Sequence, residues 1–578
     1  MFMALLLALL TVVIFGGTLH LFFPKIFYDH PRWFTGAAAV SWVTMTICYY
    51  INVPFLNLNF WAWLWFWLFC FVTICWCARI IYLDDVRYRD GWEWFRFWGK
   101  FVLKGFLALA IASLPHALSS EAFQARAYAN LAGPMEARVW HDDTQPANAA
   151  HVRLVSSKMA HWVAQQQLGA APGAIGSQFQ INEGDIHLQT IRGKLWWIAP
   201  LDFSGFLTWW SARVSPGYVM VDAENPTAQP ILRLNHQLRY TVDAGWQYNL
   251  ERYLWSHGYV ARGITNSALE IDENERPWWV VSVYRLAIGA YGRQPTGVVI
   301  VNPENGNQRF YGMNEIPRWV DLAVPGELVE ENLNYHGSLQ RGWMNSWYQK
   351  VGLTEVGDPR FTFGTDGEPY WVSEITSTNG NDQSMLGLTY THARTGVSHT
   401  YRTNGGGTEA AILAAVNNAV SYRRLHGEDP TFYHVHGTMA AITPLLGENH
   451  TFQGVAIANV SNLQQQVAIG GTAVAALREY ESILATAVSG RMNGIEAAAQ
   501  TSTLTGRVRR VAAEHQSTGP VYYLLLEGSD ILFRGASELS TELVMTRDGD
   551  EVEIRFIPSE HGITALSSFD NRTITVRP

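Results

Sequence analysis

Residues 297–306 read Gly297-Val298-Val299-Ile300-Val301-Asn302-Pro303-Glu304-Asn305-Gly306, and the reading of this stretch decides how the rest of the chain is parsed. Val298 and Ile300 alternate with Val299 and Val301, so both faces are apolar, as in a strand covered on both sides. Pro303, Asn305 and Gly306 supply a turn, with Gly306 free to take a positive φ. Upstream lies an aromatic strand, Pro277-Trp278-Trp279-Val280, and before it the helix-period segment NLERYLWSHGY. One unit is therefore a helical segment, an aromatic strand and a glycine-led strand ending in a turn.

The same order recurs on either side. Helical segments are SSKMAHWVAQQQLG, NLERYLWSHGY, ELVEENLNYHGSLQRGWMNSWYQKVG and TEAAILAAVNNAVSYRRLHG. Aromatic strands follow at Leu195-Trp196-Trp197-Ile198, Pro277-Trp278-Trp279-Val280, Pro369-Tyr370-Trp371-Val372 and Thr431-Phe432-Tyr433-His434. Glycine-led strands start at Gly217, Gly297, Gly387 and Gly454, at spacings of 80, 90 and 67 residues. A duplicated α+β module is the simplest source of such a pattern. Its units span 151–235, 236–325, 326–405 and a divergent 406–471, in which Asn459-Val460-Ser461-Asn462 takes the place of the turn. Residues 119–150 read as a polar stalk and 472–502 as a helical connector. Residues 503–578 carry five short strand signals and an Asp548-Gly549 turn, which predicts a small OB- or SH3-like β-barrel.

Ahead of the repeats lie four apolar runs, Met1–Phe23, Trp33–Val53, Leu58–Cys77 and Phe101–Leu118. Each approaches the ~20 residues that cross a hydrocarbon core as helix. Residues 1–118 are thus expected to be an α-helical membrane anchor. Lys25 and Arg32 lie between the first two runs, and Arg79, Arg87, Arg89, Arg96 and Lys100 between the last two. The positive-inside rule puts both connections in the cytoplasm, which leaves the repeats outside a bacterial inner membrane.

The chain has 24 Trp and 24 Tyr, and 16% charged residues against a usual ~25%. Its formal net charge of −9 comes without a basic stripe, which excludes a nucleic-acid partner on electrostatic grounds. Arg507, Arg509 and Arg510, in the predicted barrel, are too small a basic cluster for nucleic acid and read as a solvated strand face. All four cysteines, Cys48, Cys70, Cys75 and Cys77, fall in the apolar runs, so residues 119–578 hold no disulfide framework.

The segments NLERYLWSHGY, IDENERPWWVVSVYRLAIGAYG and PTGVVIVNPENGNQRFYGMNEIPRWVD carry a resemblance. They look like the PepSY module, a small extracytoplasmic α+β unit often found in tandem. The arrangement is similar to an uncharacterised family of bacterial and phage-encoded membrane proteins with amino-terminal spans and PepSY-like repeats. The resemblance covers roughly residues 150–575 and implies a fold. PepSY modules are associated with peptidase inhibition or envelope regulation, while the membrane family implies no activity.

Chemistry-bearing residues are sparse. His434 and His436, two apart on one strand, share a face, and His450 follows in a loop; these are the candidate metal ligands, set against plain packing beside Phe432 and Tyr433. Asn404-Gly405-Gly406-Gly407-Thr408-Glu409 offers either an anion cradle or an ordinary Thr408 N-cap. The acidic pairs Asp222 and Glu224, Glu330 and Glu331, and Asp548 and Asp550 read as solvated turns and helix faces. The sequence contains no GxSxG, HExxH or EF-hand loop. The expectation is a membrane-anchored scaffold without enzymatic activity or cofactor, acting through lipid, copies of itself or other envelope proteins. A PepSY-type peptidase regulator is the alternative, with a transporter component or a metal-dependent enzyme behind it.

Overall fold

The computed structural model describes residues 2–22, 31–53, 117–138 and 152–574, the last range without 290, 365–366, 380–383, 436–437, 464–465, 490–501, 517–518, 538 and 557–562. The run Leu58–Cys77 and nearly all of Phe101–Leu118 lie outside the described residues. Antiparallel sheet dominates. The first sheet runs in chain order through His187–Ile191, Lys194–Pro200, Tyr218–Asp222 and Ile231–Arg233, and the second through Gly263–Ile271, Pro277–Ile288, Tyr291–Val301 and Gln308–Gly312. In the third, Thr354–Val356 and Arg360–Phe363 both pair with Pro369–Ser377, followed by Ser384–His392 and Ser398–Gly407. The fourth centres on Thr438–Leu446 and Phe452–Asn459. Strands between Ser502 and Asn571 close into a barrel.

The glycine that recurs in each of the four sheets, just before a strand at Gly217 and inside one at Gly297, Gly387 and Gly454, has one physical cause. A Cβ added at Gly217, Gly297, Gly387 or Gly454 would collide with the carbonyl oxygen of Arg233, Tyr311, Tyr401 or Gly470 on the adjacent strand. At Gly217, Gly297 and Gly454 the backbone also holds φ of +155°, +152° and +159°, at the edge of the region that favours glycine. Three of the helices that precede the sheets are fixed by side-chain caps. Ser156 Oγ accepts from Met159 N at 3.1 Å, Asn249 Oδ1 from Arg252 N at 3.0 Å, and Thr408 Oγ1 from Ala411 N at 3.3 Å. Thr408 is thus a cap, and Ser398–Gly407 carries the preceding glycines as strand, which removes the anion-cradle reading.

The expected fold class, a membrane α-helical anchor followed by α+β PepSY-like repeats, does not describe the molecule. Sheet takes the place of the α+β layer: the helix before the second sheet spans only five residues, Leu250–Leu254, beside strands of 12 and 11 residues. No helix among the described residues is long and apolar enough to cross a membrane, which also overturns the multi-pass inner-membrane localisation. The first two apolar runs instead form α1 (Phe2–Phe22) and α2 (Pro31–Asn52), which pack on each other and on protein. Trp42 Nε1 donates to Leu5 O at 3.0 Å, and the Thr11 and Tyr49 hydroxyls meet at 2.7 Å. Ala4, Leu7 and Val53 are buried in one cluster with Trp255 and Trp279 of the second unit. Arg252 ties the end of α2 down by donating to Tyr50 O at 2.9 Å and Ile51 O at 3.3 Å. The described part of the predicted stalk, 119–138, is likewise docked: Glu136–Arg138 joins the third sheet in parallel with Ser398–Gly407, and His336 Nδ1 lies 3.0 Å from Ala129 O.

Candidate binding surface

After the helix α3 (Gly326–Leu339) the chain reverses at Gly342, φ +88°, and forms a single π turn, Asn345–Gln349. The sequence reading carried the helix through this segment to Gly352, whereas Gly342 breaks it. Asn345 is buried and clamps the turn from inside: Nδ2 donates to Val351 O at 3.1 Å, and Oδ1 accepts from Val351 N at 3.1 Å. Lys350, with φ +53°, closes it by donating its N–H to Asn345 O at 2.7 Å. The clamp holds an outward aromatic display. Met344, Trp347 and Tyr348 are 60%, 68% and 77% exposed, and the indoles of Trp343 and Trp347 stack with an interplanar angle of 3° and centroids 6.1 Å apart. Trp, Tyr and Met are the types enriched where proteins meet, because they bring large contact area at little conformational cost. Sequence reasoning missed this surface; its signal was Trp343, Trp347 and Tyr348 beside Gly342, a helix breaker.

The residues singled out from the sequence are dispersed. His434 lies on Thr431–Val435, His450 in the turn Glu448–His450, and His436 outside the described residues. Among the described residues no three His, Cys, Asp or Glu side chains are placed to hold a metal ion. Asp222 Oδ1 accepts from the backbone N–H groups of Glu224 and Asn225, both at 3.0 Å, and its other oxygen pairs with Lys194 at 2.6 Å. Asp548 accepts from Val511 N at 2.9 Å, and Asp550 from Arg547 N at 2.9 Å. Glu331 pairs with Arg293. The aspartates hold turns and strand ends, and Glu331 ties its helix to the strand that carries Arg293.

Buried charge concentrates instead where sheets meet. Glu270, fully buried on the second sheet, accepts from Asp321 N at 2.8 Å and Leu322 N at 3.0 Å, while Asp321 accepts from Thr190 N of the first sheet at 2.8 Å. Arg394, from the third sheet's turn, donates to Val320 O at 2.8 Å and to Glu368 at 2.7 Å. Burial, reinforced at Glu270 by the Asp321 carboxylate, raises both acids above the usual carboxylate range. At a second junction Asp429 receives Arg153 at 2.8 Å and Arg360 at 3.1 Å, and Arg360 also pairs with Glu409 at 2.6 Å. Burial alone would raise Asp429, but the two guanidiniums outweigh it and hold the carboxyl below its ordinary value. A third group, Asp202, is pushed up to about 9 by burial and then by the carboxylates of Asp243 and Asp185, with Asn182 Nδ2 donating to it at 2.8 Å. Such a proton-holding carboxyl has the chemistry of a general acid, yet at 1% exposure Asp202 is sealed from any substrate. A groove of about 820 Å³ beside the helix Glu409–Val420 is lined by Ala411, Ala415, Ala419, Leu463 and Val467 and presents no charged group.

No family model matches the chain, and no curated protein matches it. Among solved structures it is similar in part to a protein of unknown function from Dyadobacter fermentans, at 10% identity and a TM-score of 0.15, over 67% of this chain and 93% of that one. A thermostable family-43 glycoside hydrolase matches at 10% identity and 0.18, over 69% and 95%. An endo-1,4-beta-xylanase from Bacteroides thetaiotaomicron matches at 10% and 0.16, over 67% and 94%. Superpositions at these TM-scores do not define a shared fold. They also lend no support to the expectation that the chain is not an enzyme.

Proposed function

We propose that the chain is a scaffold that works through protein–protein contacts, with the turn 343–351 as its principal docking element. The supporting observation is the clamped aromatic display: a buried asparagine fixes a turn whose Trp347 and Tyr348 remain in water. Leaving such rings exposed forgoes roughly 1.5–3 kcal/mol per large apolar side chain that burial would supply. An exposed apolar patch held in one geometry is what a partner-binding surface requires, since ordering costs are met before association. A protein partner fits the −9 charge of the chain, which opposes polyanions.

The test is gentle affinity purification of the full chain beside Trp343→Ala/Trp347→Ala, with quantitative mass spectrometry. The scaffold reading expects a partner in near-stoichiometric amount with the native chain and depleted at least ten-fold with the variant, both being equally folded. Equal recovery of every co-purifying protein with both chains would sink the reading.

A further inference from the structure

A second apolar surface lies on the outer side of α1 and α2. Their inner sides are occupied, since Ala4, Leu7 and Ala8 are buried and the helices are joined through Trp42, Thr11 and Tyr49. On the outer side Leu6, Leu9 and Val13 follow one another at intervals of three and four residues, and so do Val40, Val43 and Ile47; all six are between 48% and 68% exposed. A three-four spacing keeps side chains on one narrow stripe of a helix, the pattern of a helix–helix seam. Thr35, Ser41, Thr44 and Cys48 are exposed on α2 as well, so its outward surface is not uniformly apolar. On α2 the aliphatic stripe is bordered by small hydroxyl side chains, which permit the close approach of a second pair of helices. Neither helix carries an acidic residue, and Arg32 is the one Lys or Arg between them, so identical copies meet without like-charge repulsion along the stripe.

We infer that these stripes form the seam of a two-fold dimer, α1 and α2 of one copy packing against α1 and α2 of the other. An isologous contact needs a self-complementary patch, and a paired aliphatic stripe is one. The six side chains expose on the order of 600 Å² per copy, hence roughly 1,200 Å² across the pair, the lower end of the range for specific stable interfaces. The dimer names a partner for the scaffold reading, a second copy of this chain, and shares with it only the premise that protein covers the exposed apolar surface. It places no part of the seam at the aromatic turn.

Sedimentation velocity of the purified full chain tests it, with Val43→Glu/Ile47→Glu as the disrupting variant. Leu207→Glu, at an 80% exposed apolar position elsewhere, and Trp347→Ala are controls. The native chain and both controls are expected to sediment as dimers at micromolar concentration. The double variant, altered only at exposed positions and checked for native circular dichroism, is expected to associate at least 30-fold more weakly. A second readout uses Cys70→Ser/Cys75→Ser/Cys77→Ser: oxidation should then link two copies through Cys48, beside Ile47. A monomeric native chain overturns the seam, whether it floats with phosphatidylcholine vesicles, which would make lipid the occupant, or stays in solution. A dimer that survives Val43→Glu/Ile47→Glu overturns it too, while leaving the scaffold reading intact. Loss of the co-purifying partner in Trp343→Ala/Trp347→Ala with the dimer retained separates the two surfaces.

Discussion

Two π turns, one in each of two successive units, put their aromatic residues to opposite uses. Trp255–Tyr259 follows Leu250–Leu254 and precedes the second sheet; its Trp255 is fully buried and Tyr259 is 9% exposed. Asn345–Gln349 follows α3 and precedes the third sheet; its Trp347 and Tyr348 face water. In the inner turn the aromatic side chains close a core shared with α1 and α2, and Tyr253 Oη anchors the approach by donating to Gly306 O at 2.7 Å. In the outer turn a buried polar side chain, Asn345, holds the backbone from beneath. The difference teaches that a local backbone device does not decide its own role. What lies beneath the turn does: an apolar cluster draws the indole in, whereas an amide clamp secures the loop and leaves the indole free.

The largest effect expected from this contrast is at the inner turn. Trp255→Ala should cost about 3–5 kcal/mol, read as a lower denaturant midpoint at unchanged slope, since truncating a buried Trp removes transfer energy and leaves a cavity. A loss below about 1 kcal/mol would show that the turn is not part of the core. Asn345→Ala comes next, at about 1–3 kcal/mol, because it leaves the Val351 N–H and C=O without their partner. Amide exchange over 342–351 should accelerate in that variant while the inner turn stays protected.

Independent of both turns is a pH trend set by buried carboxyls. Asp202, raised to about 9, and Glu270 and Asp321, raised by burial, keep their protons in the folded state to higher pH than in the unfolded chain, where carboxyls titrate near 4. The native state therefore binds more protons from about pH 4 to about pH 9, and stability falls as pH rises through that window. Denaturation at pH 5.5 and pH 8 should show the native chain more stable at the lower pH, and Asp202→Asn should flatten the slope. The gap between Trp255→Ala and Trp347→Ala should persist at both values. Trp347→Ala itself should change stability by no more than about 0.5 kcal/mol, the smallest effect of the series.

The contrast also marks what a sequence discloses. Strand positions such as Trp278, Trp279 and Val298–Val301 were legible from local pattern, because alternation is written in a few adjacent residues; the glycines recurred visibly, but the clash that requires them comes from a carbonyl on the neighbouring strand. The fate of α1 and α2 was not legible: Ala4 and Leu7 are as apolar when they bury against Trp255 as they would be against lipid, and composition does not distinguish the two. Contacts over long separations were equally hidden. Arg153 and Asp429 lie 276 residues apart, and nothing near either announces the other. The aromatic turn fell between these cases. Gly342 was a signal that the reading of one helix through to Gly352 passed over, and whether Trp347 points in or out depends on Asn345 meeting Val351, a matter of three-dimensional closure.

Site-specific photo-cross-linking tests the central claim most directly. A benzoyl-phenylalanine at position 348, with the same probe at the exposed turn residue Glu273 as reference, reports what touches each surface in intact cells. The account predicts a discrete protein adduct from position 348 that Asn345→Ala weakens and Trp347→Ala removes, and none of comparable yield from 273. Identical adducts from both positions, or an adduct from 348 indifferent to Trp347, would contradict it.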